Sequence, residues 1–304
     1  MYRGDESGDG VSLRWSLRGA LKETFAKRVF LHPSALLDYR YAAVNWLLQA
    51  LVFGALMVGT AKIALTVVSV LSNVLGSKAA EATEPGLLMS GVYGVLVLLA
   101  IDFGLFLAHW LMHRFPLLWE FHKVHHSAEI LTPFTVMRMH PVDLIINSAV
   151  TSTMVGVVNG LFVYAYAGPV DELWLIGSNA AVFVFFLGGY HLRHSHVWVM
   201  FPRGLREVIS SPALHLIHHS TDAKHYDQNF GRMFVWWDRM AGSLYQPTER
   251  EEITFGLGEH EQDSYDTVAK LYYKPFVRAA KLLRGDRSEL VVDRRVGDRE
   301  LTRS

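Results

Sequence analysis

Four stretches of the chain are almost wholly apolar: residues 41–75, 86–108, 144–168 and 173–189. Each reaches or approaches the roughly 20 residues that a helix needs to cross a bilayer. The polar stretch SKAAEATEP at 77–85 separates the first two, and only PVDE at 169–172 separates the last two, which reads as a tight hairpin between spans. The first stretch would be about 50 Å long as one helix. It carries Lys62 in its middle and reads either as one long tilted span running into an interfacial turn or as a tight hairpin, with one net crossing the preferred reading. The pattern predicts an all-α polytopic membrane protein with about four transmembrane helices.

Outside these stretches the chain divides simply. Residues 1–40 are polar and lack an apolar leader core, so they are expected as a cytosolic N-terminal segment, with the first span as the insertion signal. Residues 41–248 would hold the spans and a histidine-rich helical domain, and 249–304 a cytosolic tail, partly disordered. Within that tail TVAKLYYKPFVRAAKLLRG at 267–285 predicts an amphipathic surface helix interrupted near Pro275.

Parity places the polar segments. Two crossings between His126 and His191 return the chain to the same face, so all the histidine-rich segments can share one site. Seven basic residues fall in 1–40, one in 77–85 and none in 169–172, which assigns that face to the cytosol. A bacterial inner membrane and the endoplasmic reticulum both fit.

Composition then narrows the chemistry. The chain has no cysteine, which removes disulfide scaffolds, thiolate-ligated haem, iron–sulfur clusters and cysteine nucleophiles. A formal net charge of zero gives no reason to invoke nucleic acid. Fifteen histidines are present, most of them clustered as HWLMH at 109–113, HKVHHS at 122–127, HLRHSH at 191–196 and HLIHHS at 215–220.

His109 and His113 are spaced i, i+4 and share a helix face. In each H-x-x-H-H triplet the outer pair is i, i+4 and the middle residue i+3, so one helical turn is expected to offer two or three ring nitrogens in one direction. Neutral imidazoles suit Fe, Zn, Cu or Ni, and this many exceed what one four-coordinate zinc can use, so two metals fit the count better. Uncompensated positive charge on the ions favours oxide and reduced oxygen species, pointing to iron and O₂. Asp102, seven residues before His109, is the strongest candidate to orient a neighbouring imidazole, because a charge inside an apolar run is costly. Asn229 and Asp238 are further candidates, with Glu120 and Asp227 weaker. His32 and His260 read as surface residues, and His140 and His225 as capping or supporting ones. Trp110, Trp119, Trp198, Trp236 and Trp237 read as interfacial anchors.

HWLMHRFPLLWEFHKVHHS, RMHP at 138–141, HLRHSHVW at 191–198, SPALHLIHHS at 211–220 and NFGRMFVWWDRMAGSLY at 229–245 together resemble the fatty acid hydroxylase/sterol desaturase superfamily of integral-membrane di-iron oxygenases. The resemblance covers about Asp102 to Tyr245. It implies two iron ions, O₂ as co-substrate, and as ligands His109, His113, His122, His125, His126, His215, His218 and His219, with His191 and His194 completing the set in preference to His196. It also implies a lipid substrate drawn from the bilayer, a fatty acyl chain or a sterol, to be hydroxylated or desaturated. No G-x-G-x-x-G fingerprint is present, and neither His-Pro dipeptide, at His32 or His140, continues as a haem motif, so a separate cytochrome b5-like, ferredoxin or rubredoxin donor is expected. Two other readings stand beside it. A zinc-dependent membrane hydrolase is disfavoured by the surplus of histidines and the lack of H-E-x-x-H, and a metal transporter or storage protein should place its ligands within the spans.

Overall fold

The computed structural model describes residues 26–77, 86–166, 193–257 and 265–285. The expected fourth span, 173–189, lies outside the described residues, as do His191 and His260. Among the described residues three helices are long and apolar enough to cross a membrane: α1 (Pro33–Leu75), α2 (Leu87–Arg114) and α4 (Pro141–Tyr166). The chain is an integral membrane protein.

α1 is one unbroken helix of 43 residues, about 64 Å long, with no interfacial turn. It begins eight residues before the apolar stretch because Pro33 suits the first helical position and His32 caps it, its Nδ1 accepting the Ser34 N–H at 3.2 Å. His32 is therefore a cap rather than a bare surface residue. α4 packs against both α1 and α2, and glycines permit the approach. A Cβ on Gly160 would lie 2.6 Å from Val67 Cβ and 2.7 Å from the Ala64 carbonyl oxygen, and one on Gly156 2.7 Å from Ile63 Cβ. On the other side a Cβ on Gly104 would lie 2.9 Å from Thr151 Cα.

α2 continues past the apolar stretch to Arg114, carrying His109 and His113 on its last turns. Pro116 then ends it, since the residue before proline is forced out of the helical region. Phe115 is extended, with φ −105° and ψ 118°, and α3 (Pro116–His126) starts afresh across the bundle end. Behind it lies Arg138, almost wholly buried. It donates to Asp38 of α1 at 2.9 Å, to Ser127 Oγ, and to the carbonyls of Val124 and Tyr265. A buried guanidinium is tolerated when its donors are met in this way.

The rest of the described chain closes over that end. α5 (Pro212–His218) bears the second triplet, α6 (Trp236–Ala241) follows a loop, and α7 (Val268–Leu283) packs on α3. α7 runs through Pro275 without interruption. Packing outweighs the roughly 3 kcal/mol that an interior proline costs: Leu271, Pro275, Arg278 and Ala279 are buried, and Arg278 Nε donates to Glu120 of α3 at 2.7 Å.

Candidate metal centre

Among the described residues nine histidines converge beneath α3 and α5 in two groups. His109, His113, His122, His126 and His218 form the first; His125, His194, His215 and His219 form the second. Within each group one ring nitrogen per residue lies within 4.8 Å of all the others, and every member is buried. His196 belongs to neither group and stands edge-on to Phe30 at 6.4 Å.

The triplets do not point in one direction, as their spacing alone suggested. In HKVHH the outer pair, His122 and His126, faces the first group and His125 the second. In HLIHH the outer pair, His215 and His219, faces the second group and His218 the first. A step of three residues falls short of a full turn by about 60°, whereas a step of four overshoots by about 40°. Each middle histidine is thus turned away from its outer neighbours, and each triplet serves both groups.

The nitrogens carry the test of fit. In the first group the Nε2 atoms of His109, His122 and His126 are buried without a hydrogen-bond partner. The opposite nitrogens of several members are held: His109 Nδ1 lies 3.0 Å from the Phe230 carbonyl, His218 Nδ1 2.8 Å from the Gln228 carbonyl, and His122 Nδ1 2.7 Å from Asp143 Oδ2. His113 Nδ1 is 3.5 Å from Asp227. A proton on Nδ1 donated to such an acceptor leaves the Nε2 lone pair turned inward. In the second group His194 Nε2 sits 3.0 Å from His125 Nε2 and 2.8 Å from His215 Nε2, and His215 Nε2 sits 3.2 Å from His219 Nε2. Ring nitrogens drawn this close in one buried group are arranged as ligands of a shared cation would be.

Four of the rings outside the spans are held toward the neutral form. Burial first, and then the neighbouring imidazoles, hold His125, His126 and His219 well below the ordinary histidine range; for His215 burial is followed by the Arg193 guanidinium. Neutral imidazole is the ligating form. An all-nitrogen set of five and four, buried and aimed inward, fits two divalent transition-metal ions.

The supporting shell differs from the expected one. Among the described residues Asp102 touches no imidazole. Its carboxylate accepts the N–H groups of Met233 and Phe234 and the Trp237 indole N–H, at 2.8, 3.1 and 2.8 Å. Asp238 accepts from Phe230 N, Gly231 N and Ser243 Oγ, while Asn229 donates to the Leu214 and Tyr245 carbonyls. These three shape the loop 227–238 instead. Asp227 and Asn229 both adopt φ 59°, a conformation that Asp and Asn tolerate better than most side chains. The loop delivers the Gln228 and Phe230 carbonyls to the rings. Glu120 bonds Lys123 and Arg278.

Asp143 is the carboxylate that sequence reasoning missed. It lies in the first turn of α4, one residue before the apolar stretch 144–168, so the signal that singled out Asp102, a charge inside an apolar run, does not reach it. Trp119 is no surface anchor: it is 3% exposed and packs against His113 and His126. His140 caps α4, its Nδ1 accepting the Val142 N–H, and His225 bonds Glu251.

A helical membrane bundle closed at one end by two nitrogen cages defines an integral-membrane protein with two histidine groups that could each hold a metal ion. Residues 94–243 match the fatty acid hydroxylase family, and the chain carries that domain. It is 30% identical over 163 residues to an ornithine lipid hydroxylase of Rhizobium tropici, covering 54% of this chain and 45% of that protein. Lathosterol oxidase of Rattus norvegicus is 29% identical over 171 residues, covering 54% of this chain and 50% of that one. Alkylglycerol monooxygenase of Danio rerio is 26% identical over 180 residues, covering 59% and 36%. The chain thus spans half or less of the length of these relatives. No solved structure matches it.

Proposed function

We propose that this protein is a membrane-bound di-iron oxidoreductase that hydroxylates a C–H bond of a lipid of the fatty acyl or sterol class. The single observation that carries the proposal is the division of nine buried histidines into two inward-facing nitrogen groups inside a fatty acid hydroxylase domain. His109, His113, His122, His126 and His218 would hold one ion, and His125, His194, His215 and His219 the other, with His191 a further ligand candidate.

When bound, two iron ions supply the O₂ chemistry that inserts oxygen into an unactivated C–H bond. The balance is one C–H bond and one O₂ with two electrons and two protons, giving one C–OH and one water. The chain's residues do the rest. Asp143 and the carbonyls of Gln228 and Phe230 fix the orientation of His122, His218 and His109, and burial keeps bulk water from the centre. The two electrons come from a separate donor, a cytochrome b5-like protein, ferredoxin or rubredoxin, docking on the face that the basic bias assigns to the cytosol. Desaturation by the same centre is the second reading, favoured by the relatedness to lathosterol oxidase and to a sterol desaturase of Gibberella zeae.

The test is elemental analysis of protein purified from iron-supplemented cells, followed by lipid incubations under ¹⁸O₂ with a reductant. About two irons per chain, lost on replacing His125 and His126 by alanine, and ¹⁸O in a lipid alcohol are the expected results. One zinc per chain, indifferent to those replacements, would overturn the assignment and favour a hydrolase.

A further inference from the structure

The face of α7 turned away from α3 carries a pattern that the metal centre does not need. At about 100° per residue the helix divides into three sectors. Leu271, Pro275, Arg278 and Ala279 are buried against the body. Leu283, Phe276 and Tyr273 follow in a sector roughly 80° wide, and they are 74%, 55% and 48% exposed. Arg284, Lys270, Lys281 and Lys274 occupy the next sector, with Val277, 44% exposed, among them, and no acidic residue occurs between Val268 and Gly285. Lys270 pairs with Asp266, just before the helix.

Contacts fix the level at which this face sits. The Tyr272 hydroxyl donates to Asn45 of α1 at 3.0 Å, and His140, at the head of α4, lies 3.1 Å from the Tyr272 carbonyl. Asn45 itself donates to the Met139 carbonyl at 2.7 Å. The next α1 residues, Trp46 and Leu47, are 70% and 62% exposed and begin its lipid-facing surface. α7 therefore lies at the level where the bundle enters the membrane, Tyr272 meeting α1 one residue before Trp46.

We propose that α7 is an interfacial helix that binds anionic lipid headgroups. Its Phe276 stripe sinks into the acyl boundary, and Lys270, Lys274 and Lys281 reach the phosphates. Through Arg278, Glu120 and Lys123 the helix is tied to α3, which bears three of the metal-facing histidines.

The chain's lack of cysteine makes the test direct. The full-length protein carrying Phe276→Cys or Lys274→Cys is labelled with a nitroxide and placed in bilayers of phosphatidylcholine, with or without phosphatidylglycerol. Undiminished metal content serves as the folding control. The label at 276 should be shielded from a water-soluble relaxation agent and reached by O₂ from the lipid, with the label at 274 showing the reverse. Phosphatidylglycerol should deepen the label at 276. Replacing Lys270, Lys274 and Lys281 by glutamine should cut that response by at least about tenfold, given the attraction of each lysine to an anionic surface. A label at 276 open to water in both bilayers overturns the proposal, as does a phosphatidylglycerol response unchanged by the glutamines. Spin–spin broadening between labels at 276 overturns it by assigning the face to a second copy of the chain.

Discussion

His122 on α3 and Asp143 on α4 meet at 2.7 Å, both fully buried, and this bond joins the metal-facing helix to a membrane span. Asp143 is held in turn by Asn147, whose Nδ2 donates to Oδ1 at 2.6 Å. A carboxylate in this position orients its imidazole and raises the basicity of the far nitrogen. Asp143→Ala should weaken metal at the first group by about 10- to 100-fold while leaving the second group nearly intact. Chelator competition followed by metal analysis checks this. Equal loss from both sites would mean that Asp143 supports the fold rather than the ligand.

Asp102 predicts a different failure. It accepts three hydrogen bonds from the segment 233–237, at a depth where little water can replace it. Leaving such donors unmet costs about 1–3 kcal/mol each. Asp102→Ala should lower the unfolding temperature in detergent, and on partial denaturation the Phe230 loop should open before the three-helix bundle. Hydrogen exchange at residues 228–238 reads this order.

Much of the arrangement was legible in the chain, for reasons that these two acids illustrate. The three described spans followed from apolar length, and the histidines from i, i+4 spacing, because both are local properties. The partner of each acid was not local. Asp102 reaches residues more than 130 positions away, and Asp143 reaches His122 across 21 positions and a 3₁₀ turn at Pro133–Met137. The run through Pro275 was hidden for the same reason, since Glu120 and the rest of α3 hold that helix from outside it.

Packing of α1 on α4 rests on the absence of a side chain at two positions. Gly160→Leu would drive its Cβ into Val67 and the Ala64 carbonyl, and backbone cannot give way cheaply. A loss of about 1–3 kcal/mol is expected, seen as a lower unfolding temperature. Gly91→Ala, where nothing lies within 4 Å of the new Cβ, should be neutral or slightly stabilising in the helix.

Acid should expose the state of the rings. His125, His126, His215 and His219 titrate lower in the folded protein than in the unfolded chain, so between the two values the unfolded chain binds more protons. Stability of the metal-free protein must then fall as pH drops below about 6.5, the ordinary imidazole value. Metal should delay the loss, because bound ions compete with protons for the same nitrogens. Unfolding temperatures of stripped and loaded protein, compared from about pH 8 to pH 5, test both signs.

The crossing of the two triplets gives the sharpest test of the paired centre. His218 and His219 are adjacent in sequence, yet His218 lies with His109, His113, His122 and His126, while His219 lies with His125, His194 and His215. His218→Ala should therefore weaken one ion and His219→Ala the other. Each single variant should retain about one metal per chain under mild chelation, and the two retained ions should sit in different surroundings. Asp143→Ala separates them. Combined with His218→Ala it strikes the same group and should cost little further metal; combined with His219→Ala it strikes both groups and should empty the protein. Such non-additivity is expected only for residues that share a site. If the two double variants lost metal equally, the nine histidines would form a single pooled centre rather than two.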